Sequence, residues 1–448
     1  MKLKRLFLML AFSCIINTVS ADKLIAENPL VAVRIKSYNK FIGIVPQLMQ
    51  MQVAAVEKQF PFLDKTKEAV VVMTSIMPPV AYAAIPVKAG TQMDTVNQAL
   101  PPDLQAKAQI RDDYLYLPFS GELPQNIGKG KLPANKSTVQ VNINIEMINK
   151  LNGPMIAALM EQDFSQMLPA QNEQDASMMK ATVEFYKVLL LDLLKSSTTV
   201  DLKIDKTDAY KIDVKAEFTP ESKWAAICKS HSSFTIPETD SIKEGPMYFA
   251  GVFDYSTMKP FMKPFKKYMD SLGEAMGSKG MGEMMESFSK IGITKTIGSF
   301  GMNDNSMKMD YLMEGSQNAD MTAVLNSMKS YMSDENELLT MKKLDETVNG
   351  QTVYRYSMKQ IAEEMMNVDA YIMAKGNGLY YASKIEDLSK YSSAKIKEGT
   401  KKGFMWMKMD MNSFAKGMAL PAPEMKMPII EFLSSSTDTG MRSIITVK

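Results

Sequence analysis

The sequence predicts an α+β protein of two similar halves, in which mainly antiparallel sheets pack against helices. Three observations support this prediction. Several segments alternate apolar and polar residues, as residues 139–145 do, and a period of two is typical of half-buried strands. Other segments place apolar residues at helical spacing, as residues 177–195 do. Four times a strand runs directly into the start of a helix, near positions 31, 139, 248 and 404.

The first half is predicted to contain two strand–helix–strand units. The first unit opens with a strand at 30–35 and continues into a helix over about 39–59, which Pro46 starts or kinks. In the second unit the strand after Thr138 alternates cleanly, and Thr207-Asp208 makes a later hairpin turn. The other expected elements are strands at 70–73, 82–87, 114–117, 200–204 and 210–218 and helices at 93–100, 147–159 and 177–195.

The second half is predicted to contain two more units and includes most of the methionines. A strand at 247–253 precedes a Met-rich amphipathic stretch, and Gly376-Asn377-Gly378 is a good hairpin signal. The fourth unit is the strand at 404–411 with the helix start that follows it. The other expected elements are strands at 294–300, 307–313, 353–356, 370–374, 379–383 and 441–447 and helices at 321–331 and 385–396.

We expect a domain boundary within the connector 219–245, which is rich in serine and proline near its end. This divides the chain into a signal peptide at 1–21, an N-terminal α+β domain at 22–240 and a C-terminal α+β domain at 241–448. The second domain is interpreted as a repeat of the first, with two units in each. The alternative is that an α+β protein produces such patterns by chance, because identity between the four units is low.

Residues 1–21 are predicted to be an export signal. A basic start at positions 2–5 precedes an uncharged apolar run, and Val19-Ser20-Ala21 places small residues at a cleavage site. Cleavage after Ala21 predicts an exported protein of the periplasm or the extracellular space. Cys14 suggests a lipoprotein as an alternative, but Phe12 stands where a small residue is wanted.

Charge and cysteine counts exclude several classes of protein. The chain has 52 basic and 50 acidic residues, so loss of the three basic residues of the signal leaves 49 and 50, a net charge near −1. This balance gives no field that attracts nucleic acid, and no stretch after the signal is long and apolar enough to span a membrane. Cys228 is then the last cysteine, so no intramolecular disulfide forms. No cofactor is predicted.

Catalytic patterns are weak in this sequence. His231 is the single histidine, and with Cys228 it could form a nucleophile–base pair or part of a metal site. The same spacing on a short helix also fits a packed cysteine beside a helix-end histidine. Ser256 and Lys259 form an S-x-x-K pattern like that of serine acyl-enzymes, but the companion motifs are missing and chance produces the pattern elsewhere. A hydrolase with an unrecognised site therefore stays an alternative.

Methionine is the unusual residue, at 41 of 448 positions. Clustered thioethers suit Cu(I), whereas flexible methionines at core spacing also replace Leu, Ile and Val in a sheet-facing core. Both interpretations concern the methionines that share one face of a strand. These metal-site candidates are Met405, Met407, Met409 and Met411 in the fourth unit and Met307, Met309 and Met313 in the third.

From these observations the sequence predicts an exported, non-enzymatic protein of the cell envelope with a binding or structural role. An apolar small molecule or lipid, held between helices and sheet, is the expected partner, because a methionine-lined interior is deformable. A Cu(I)-binding protein and a hydrolase are the alternatives. The sequence determines neither the identity of the ligand nor the oligomeric state.

Overall fold

A computed structural model describes the chain in ten segments. The predicted export signal at 1–21 and most of the predicted helix at 39–59 lie outside the described residues. The described residues form a mixed α+β structure that is mostly antiparallel sheet, as predicted. The described segments are residues 24–36, 41, 59–132, 137–161, 173–275, 281–303, 306–331, 339–358, 367–417 and 427–448.

The contacts of the chain define two compact units. The first comprises Met1–Ala158 and Ser197–Glu217, and the second comprises Leu159–Ser196 and Phe218–Lys448. Residues 159–196 therefore group with the second unit by their contacts, although they precede position 240 in the sequence. The predicted pair of domains at 22–240 and 241–448 stays a prediction.

The first unit contains an antiparallel sheet in the order β4–β5–β3–β2–β1–β6–β7. Strands β1 and β6, which are distant in sequence, pair directly with each other. The strands are β1 (Val31–Ile35), β2 (Ala69–Ile76), β3 (Pro79–Pro86), β4 (Gln109–Arg111), β5 (Tyr114–Ser120), β6 (Val139–Asn144), β7 (Ser197–Lys206) and β8 (Tyr210–Phe218). The helices that begin in this unit are α1 (Met93–Ala99), α2 (Pro102–Gln105) and α3 (Ile145–Glu161).

Alternation along β3 directs its side chains into two cores of the first unit. Ile85 packs with Phe62 and Val96 on one side, whereas Tyr82 packs with Ile25 and other residues on the opposite side. The Tyr82 hydroxyl donates to the Leu24 carbonyl at 2.9 Å and accepts from the Ala26 amide at 2.8 Å. These two hydrogen bonds anchor the segment that leads into β1.

The second unit contains a longer antiparallel sheet in the order β13–β14–β15–β16–β12–β11–β10–β18–β19–β20. Strands β10 and β18 are neighbours in this order. The strands are β9 (Thr235–Glu238), β10 (Met247–Asp254), β11 (Ile293–Asn303), β12 (Ser306–Glu314), β13 (Leu339–Val348), β14 (Gln351–Met358), β15 (Asn367–Lys375), β16 (Gly378–Ala382), β17 (Lys397–Lys402), β18 (Met405–Asp410), β19 (Ile429–Ser436) and β20 (Gly440–Val447).

The helices of the second unit lie before or between its strands in the sequence. They are α4 (Glu173–Ser196), α5 (Lys223–His231), α6 (Lys259–Ala275), α7 (Met281–Ser289), α8 (Met321–Tyr331), α9 (Ile385–Tyr391) and α10 (Met411–Gly417). A 3₁₀ turn at Tyr255–Met258 joins β10 to α6. None of the described helices has both the length and the apolar composition needed to cross a membrane.

Three of the four strand-to-helix junctions share the same local device. Asn144, Asp254 and Asp410 end their strands, and the side-chain oxygen of each accepts a hydrogen bond from a backbone amide two or three residues later. Short polar side chains at this position satisfy amides that the first helical turn leaves unpaired. The polar residue that ends each strand in the sequence therefore explains where the helix starts.

Several elements differ from the sequence-based predictions. Strand β18 ends at Asp410, and Met411 begins α10, so Met411 does not share the strand face of the other methionines. The predicted connector 219–245 contains the expected short helix, α5, and in addition the strand β9. Strands β13 and β19 were not predicted, and the helix expected over 385–396 ends at Tyr391.

We expect Gly298→Ala to destabilise the second unit by about 1–3 kcal/mol, the usual cost of overpacking a filled interior. Gly298 lies opposite Phe249, and a Cβ atom at position 298 would overlap the Phe249 ring. Gly301→Ala on the same strand is the control, because its Cβ would meet only Pro246 at 3.6 Å. Urea denaturation measures both variants, and equal midpoints would contradict the overlap.

Candidate functional site

One side of the sheet in the second unit presents a continuous apolar surface across four strands. We call this surface the methionine face. Strand pairing places its residues side by side, and all of them are half-buried. The methionine face consists of Met247 and Phe249 on β10, Met405, Met407 and Met409 on β18, Ile430 and Phe432 on β19, and Ile445 and Val447 on β20.

The register arranges the methionine face in rows that cross the strands. Met409 lies opposite Met247 on one neighbouring strand and Ile430 on the other. Met407 lies in the same way between Phe249 and Phe432. Directly opposed side chains on one side of an antiparallel sheet contact each other, so each row is a contiguous apolar strip.

Phe249 links the methionine face to the aromatic residues beside it. Its ring lies over Gly298, where no side chain competes for the space. From there it stacks on Phe300 and Tyr311, at centroid separations of 5.5 and 5.7 Å. The aromatic group is a rigid edge to a surface that otherwise consists of flexible methionine and aliphatic side chains.

The next row of the sheet closes one end of the methionine face with small and polar residues. Met405 lies opposite Gly251 and Ser434. Ser434 is buried, and its hydroxyl lies 2.8 Å from the Ser443 hydroxyl. Helix α5 packs against β10, β19 and β20. The apolar strip is therefore bounded by a hydroxyl pair at this end.

The methionine face is more exposed than the part of the sheet that packs with α8. On the same side, Met313 and Leu379 are 5% and 0% exposed, because they pack with α8 residues such as Met321. On the opposite side, Trp406 belongs to a core with Tyr248. Apolar side chains of the methionine face thus keep contact with solvent, as the half-buried Trp406 and Leu433 on the opposite side also do, whereas Met313 and Leu379 do not.

Met405, Met407 and Met409 lie together on β18, whereas Met307, Met309 and Met313 lie on β12. Two strands, β11 and β10, separate these groups in the sheet. Three strand spacings of roughly 4.8 Å place them about 14 Å apart. The two predicted methionine groups therefore do not form one site. Met247, which was not among the candidates, is the methionine directly opposite Met409.

His231 is a buried structural residue at the end of α5. Its Nδ1 lies 2.7 Å from the Ile227 carbonyl, and its Nε2 accepts a hydrogen bond from the Asp254 amide at 3.1 Å. Phe253 and Phe404 approach the ring edge-on. Burial lowers the pKa of His231, although the Ile227 carbonyl and the Asp254 carboxylate oppose this change. The ring is therefore held in its neutral form.

This geometry argues against the nucleophile–base pair of Cys228 and His231. Both ring nitrogens are used by backbone groups, and Cys228 and His231 are only 2% and 5% exposed. Ser256 of the S-x-x-K pattern donates its hydroxyl proton to Asp254 within the helix cap. Across the described segments, no group of three or more His, Cys, Asp or Glu residues could hold a metal ion.

No family model, no curated protein and no solved structure matches this chain. The geometry of the described residues is therefore the basis for any conclusion about function. Within that geometry, the methionine face is an apolar surface with incomplete burial that is contiguous across four strands, and the candidate catalytic residues are engaged elsewhere.

We expect the protein to lose stability as the pH falls below about 6.5, through protonation of His231. Because the folded state disfavours the charged ring, the unfolded chain binds this proton more readily, and the free energy of unfolding falls until the pH reaches the lowered pKa. Urea denaturation between pH 7.5 and 5 measures the slope. We expect His231→Gln to have a lower free energy of unfolding at pH 7.5. In this variant the free energy of unfolding should depend less on pH, because the titrating ring is absent. An unchanged slope in the variant would assign the pH dependence to other groups.

Proposed function

We propose that the protein is an exported, non-enzymatic component of the cell envelope that binds an apolar molecule, such as a lipid acyl chain. The observation that supports this proposal is the methionine face itself, a row of half-buried apolar side chains that is contiguous across four strands. A contiguous patch of apolar surface that stays in contact with water in a folded protein often marks a binding site. An acyl chain laid along the rows would cover it.

The composition of the methionine face suits a flexible apolar ligand. Each 100 Å² of apolar surface that the ligand removes from water contributes about 2.5 kcal/mol to binding. Methionine side chains adapt to different shapes because they are unbranched and polarizable. The ring of Phe249, fixed over Gly298, would orient the chain. Affinity for a class of acyl chains, and not for one shape, is the expected result.

The first unit supports the same interpretation through its own sheet. Strands β1 and β6 have half-buried valine and isoleucine side chains on one side. Among them, Val33 on β1 lies directly opposite Val141 on β6. Leu202 on β7 continues this row and is also half-buried. We infer that each unit contains an apolar sheet face of the same kind.

The strand orders of the two units support the interpretation as similar halves. The first unit pairs its strands as β5–β3–β2–β1–β6–β7, and the second as β16–β12–β11–β10–β18–β19. Every one of these pairings is antiparallel, and β6, β10 and β18 each lead into a helix. A duplicated gene whose copies diverged in sequence would produce this correspondence.

The location of the protein is proposed from its N-terminus. The basic start, the apolar run and Val19-Ser20-Ala21 support export with cleavage after Ala21. An apolar ligand in this compartment would need a carrier or a storage site, since acyl chains are poorly soluble in water. The proposed location and the proposed ligand class therefore fit each other.

Met407→Glu is expected to weaken binding of a fluorescent long-chain fatty acid by at least tenfold. The substitution places a carboxylate in the central row, and transfer of a charge into an apolar contact is costly. Fluorescence titration of the purified protein, after removal of bound lipid, measures the dissociation constant. Met77→Glu is the matched control, because Met77 is 68% exposed and lies in the first unit.

Two results would contradict the proposal. One is equal affinity of the Met407 and Met77 variants for the fatty acid, with both folded as judged by circular dichroism. The other is the absence of any lipid or other apolar molecule from solvent extracts of protein purified from the organism that produces it. Mass spectrometry of these extracts also identifies the ligand class.

A Cu(I) site is a second candidate, favoured by the direct opposition of Met247 and Met409 on neighbouring strands. Soft thioether ligands suit Cu(I). Replacing Met405, Met407 and Met409 together with leucine should leave fatty acid affinity within about threefold, because the apolar volume is kept. If copper binding is the function, the same variant should lose Cu(I) in competition with a mild chelator. Retention of Cu(I) by the triple variant would exclude these methionines as ligands.

A further inference from the structure

A polar cleft in the first unit is a second, separate place where a small molecule fits. Its volume is about 540 Å³. One wall is the segment before β1, with Glu27 and Pro29, and another is the loop that contains Lys129 and Lys131. The floor comes from β6 and β7. The cleft belongs wholly to the first unit, and its residues take no part in the methionine face of the second unit.

The floor of the cleft contains a buried acceptor that lacks a donor. Asn142 on β6 lies directly opposite Asp201 on β7, and its amide nitrogen donates to the Asp201 carboxylate. Asn142 is only 8% exposed, yet its Oδ1 has no hydrogen-bond partner among the described residues. A buried carbonyl oxygen without a donor is unfavourable, because nothing replaces the hydrogen bonds it made to water. A ligand donor would remove this penalty.

The charge beside this acceptor identifies the kind of donor. Asp201 is half-buried, and no lysine or arginine of the described segments forms an ion pair with it. A carboxylate and an amide oxygen side by side, both able to accept, suit a cationic N–H donor better than a neutral hydroxyl. A primary ammonium group meets both requirements, since it carries three donors and a positive charge.

The lining of the cleft also contains two lysines, whose charge is opposite to that of Asp201. They are Lys129 and Lys131, and neither forms an ion pair within the part of the chain that the structure describes. Their loop is held in place, because the amides of Gly128 and Gly130 both donate to the Ile25 carbonyl, at 2.9 and 3.0 Å. A Cβ atom on Gly130 would overlap the backbone of the facing segment, so glycine permits this close approach. The cleft is thus formed before any ligand arrives.

We propose that this cleft binds a small zwitterion, a free amino acid or a short peptide. The ligand ammonium group would donate to Asn142 Oδ1 and to the Asp201 carboxylate, and the ligand carboxylate would lie against Lys129 and Lys131. Glu27 and Asp201 together balance the two lysines, so the cleft has no net charge and matches a ligand that has none. This proposal is independent of the apolar ligand, because it concerns different residues in the other unit.

Isothermal titration of the full mature chain with the dipeptide Ala-Ala tests the proposal. We expect Ala-Ala to bind, and N-acetyl-Ala-Ala, which lacks the ammonium group, to bind at least tenfold more weakly. Putrescine supplies ammonium groups without a carboxylate and should also bind more weakly than Ala-Ala. Maltose tests the neutral hydroxyl donors of a saccharide and should not bind.

Two variants assign the binding to the cleft. Asp201→Asn keeps the size of the side chain but removes its charge, and it should weaken Ala-Ala binding at least tenfold. Asp208→Asn is the matched control, because Asp208 is exposed in the turn between β7 and β8. Thermal denaturation establishes that both variants are folded. If Asp201→Asn does not fold, the comparison of Ala-Ala with its acetylated form on the unmodified chain still decides the question.

Several outcomes would overturn the proposal. These are the absence of Ala-Ala binding at millimolar concentration, equal affinity for the acetylated dipeptide, and unchanged affinity in a folded Asp201→Asn variant. Binding of maltose with no binding of Ala-Ala would identify the cleft as a saccharide site instead.

Discussion

The antiparallel pairing of two strands that are distant in sequence determines the structure of each unit. In the second unit, Met247 on β10 pairs with Met409 on β18, which lies 162 positions later in the sequence. The hairpin strands β11–β12 and β19–β20 extend the sheet outward from this pair. Because successive side chains on a strand point to opposite sides, the register of this one pair decides which residues share a side. A shift of one residue would move Trp406 out of its core and expose the opposite set.

The chemistry of the second unit follows from that register. It places Trp406 beside Tyr248 in one core and assigns Met405, Met407 and Met409 to the other side of the sheet. There the sheet is only partly covered, and the side chains stay half-buried. The same register aligns Phe249 with Gly298, so the aromatic ring finds space in the sheet itself. In the first unit, by contrast, the pairing of β6 with β7 places Asn142 opposite Asp201, and both residues line a polar cleft.

Much of the secondary structure could be predicted from local patterns, and the failures have physical reasons. Alternation predicted β6 and β8, and the strand-to-helix starts expected near positions 139, 248 and 404 are present at the ends of β6, β10 and β18. Strand β13 was missed because its sequence is polar and lacks apolar alternation. The Asn349-Gly350 pair beyond it, where both residues have positive φ, was a signal that could have revealed the hairpin. Strand β19 escaped notice because apolar residues occupy only its first half.

The sequence by itself determined the α+β class, the position of most strands, the positions where helices begin and the concentration of methionine in the second half. It also identified Met405, Met407 and Met409 as sharing one side of a strand, because a period of two is a local property. Only the tertiary structure decided what that side meets. Pairing with distant strands adds Met247, Phe249 and Phe432 to these methionines. The methionines around Met309 lie on β12, which β11 and β10 separate from β18. Burial depends on which distant strands and helices cover a surface, and local spacing contains no information about that.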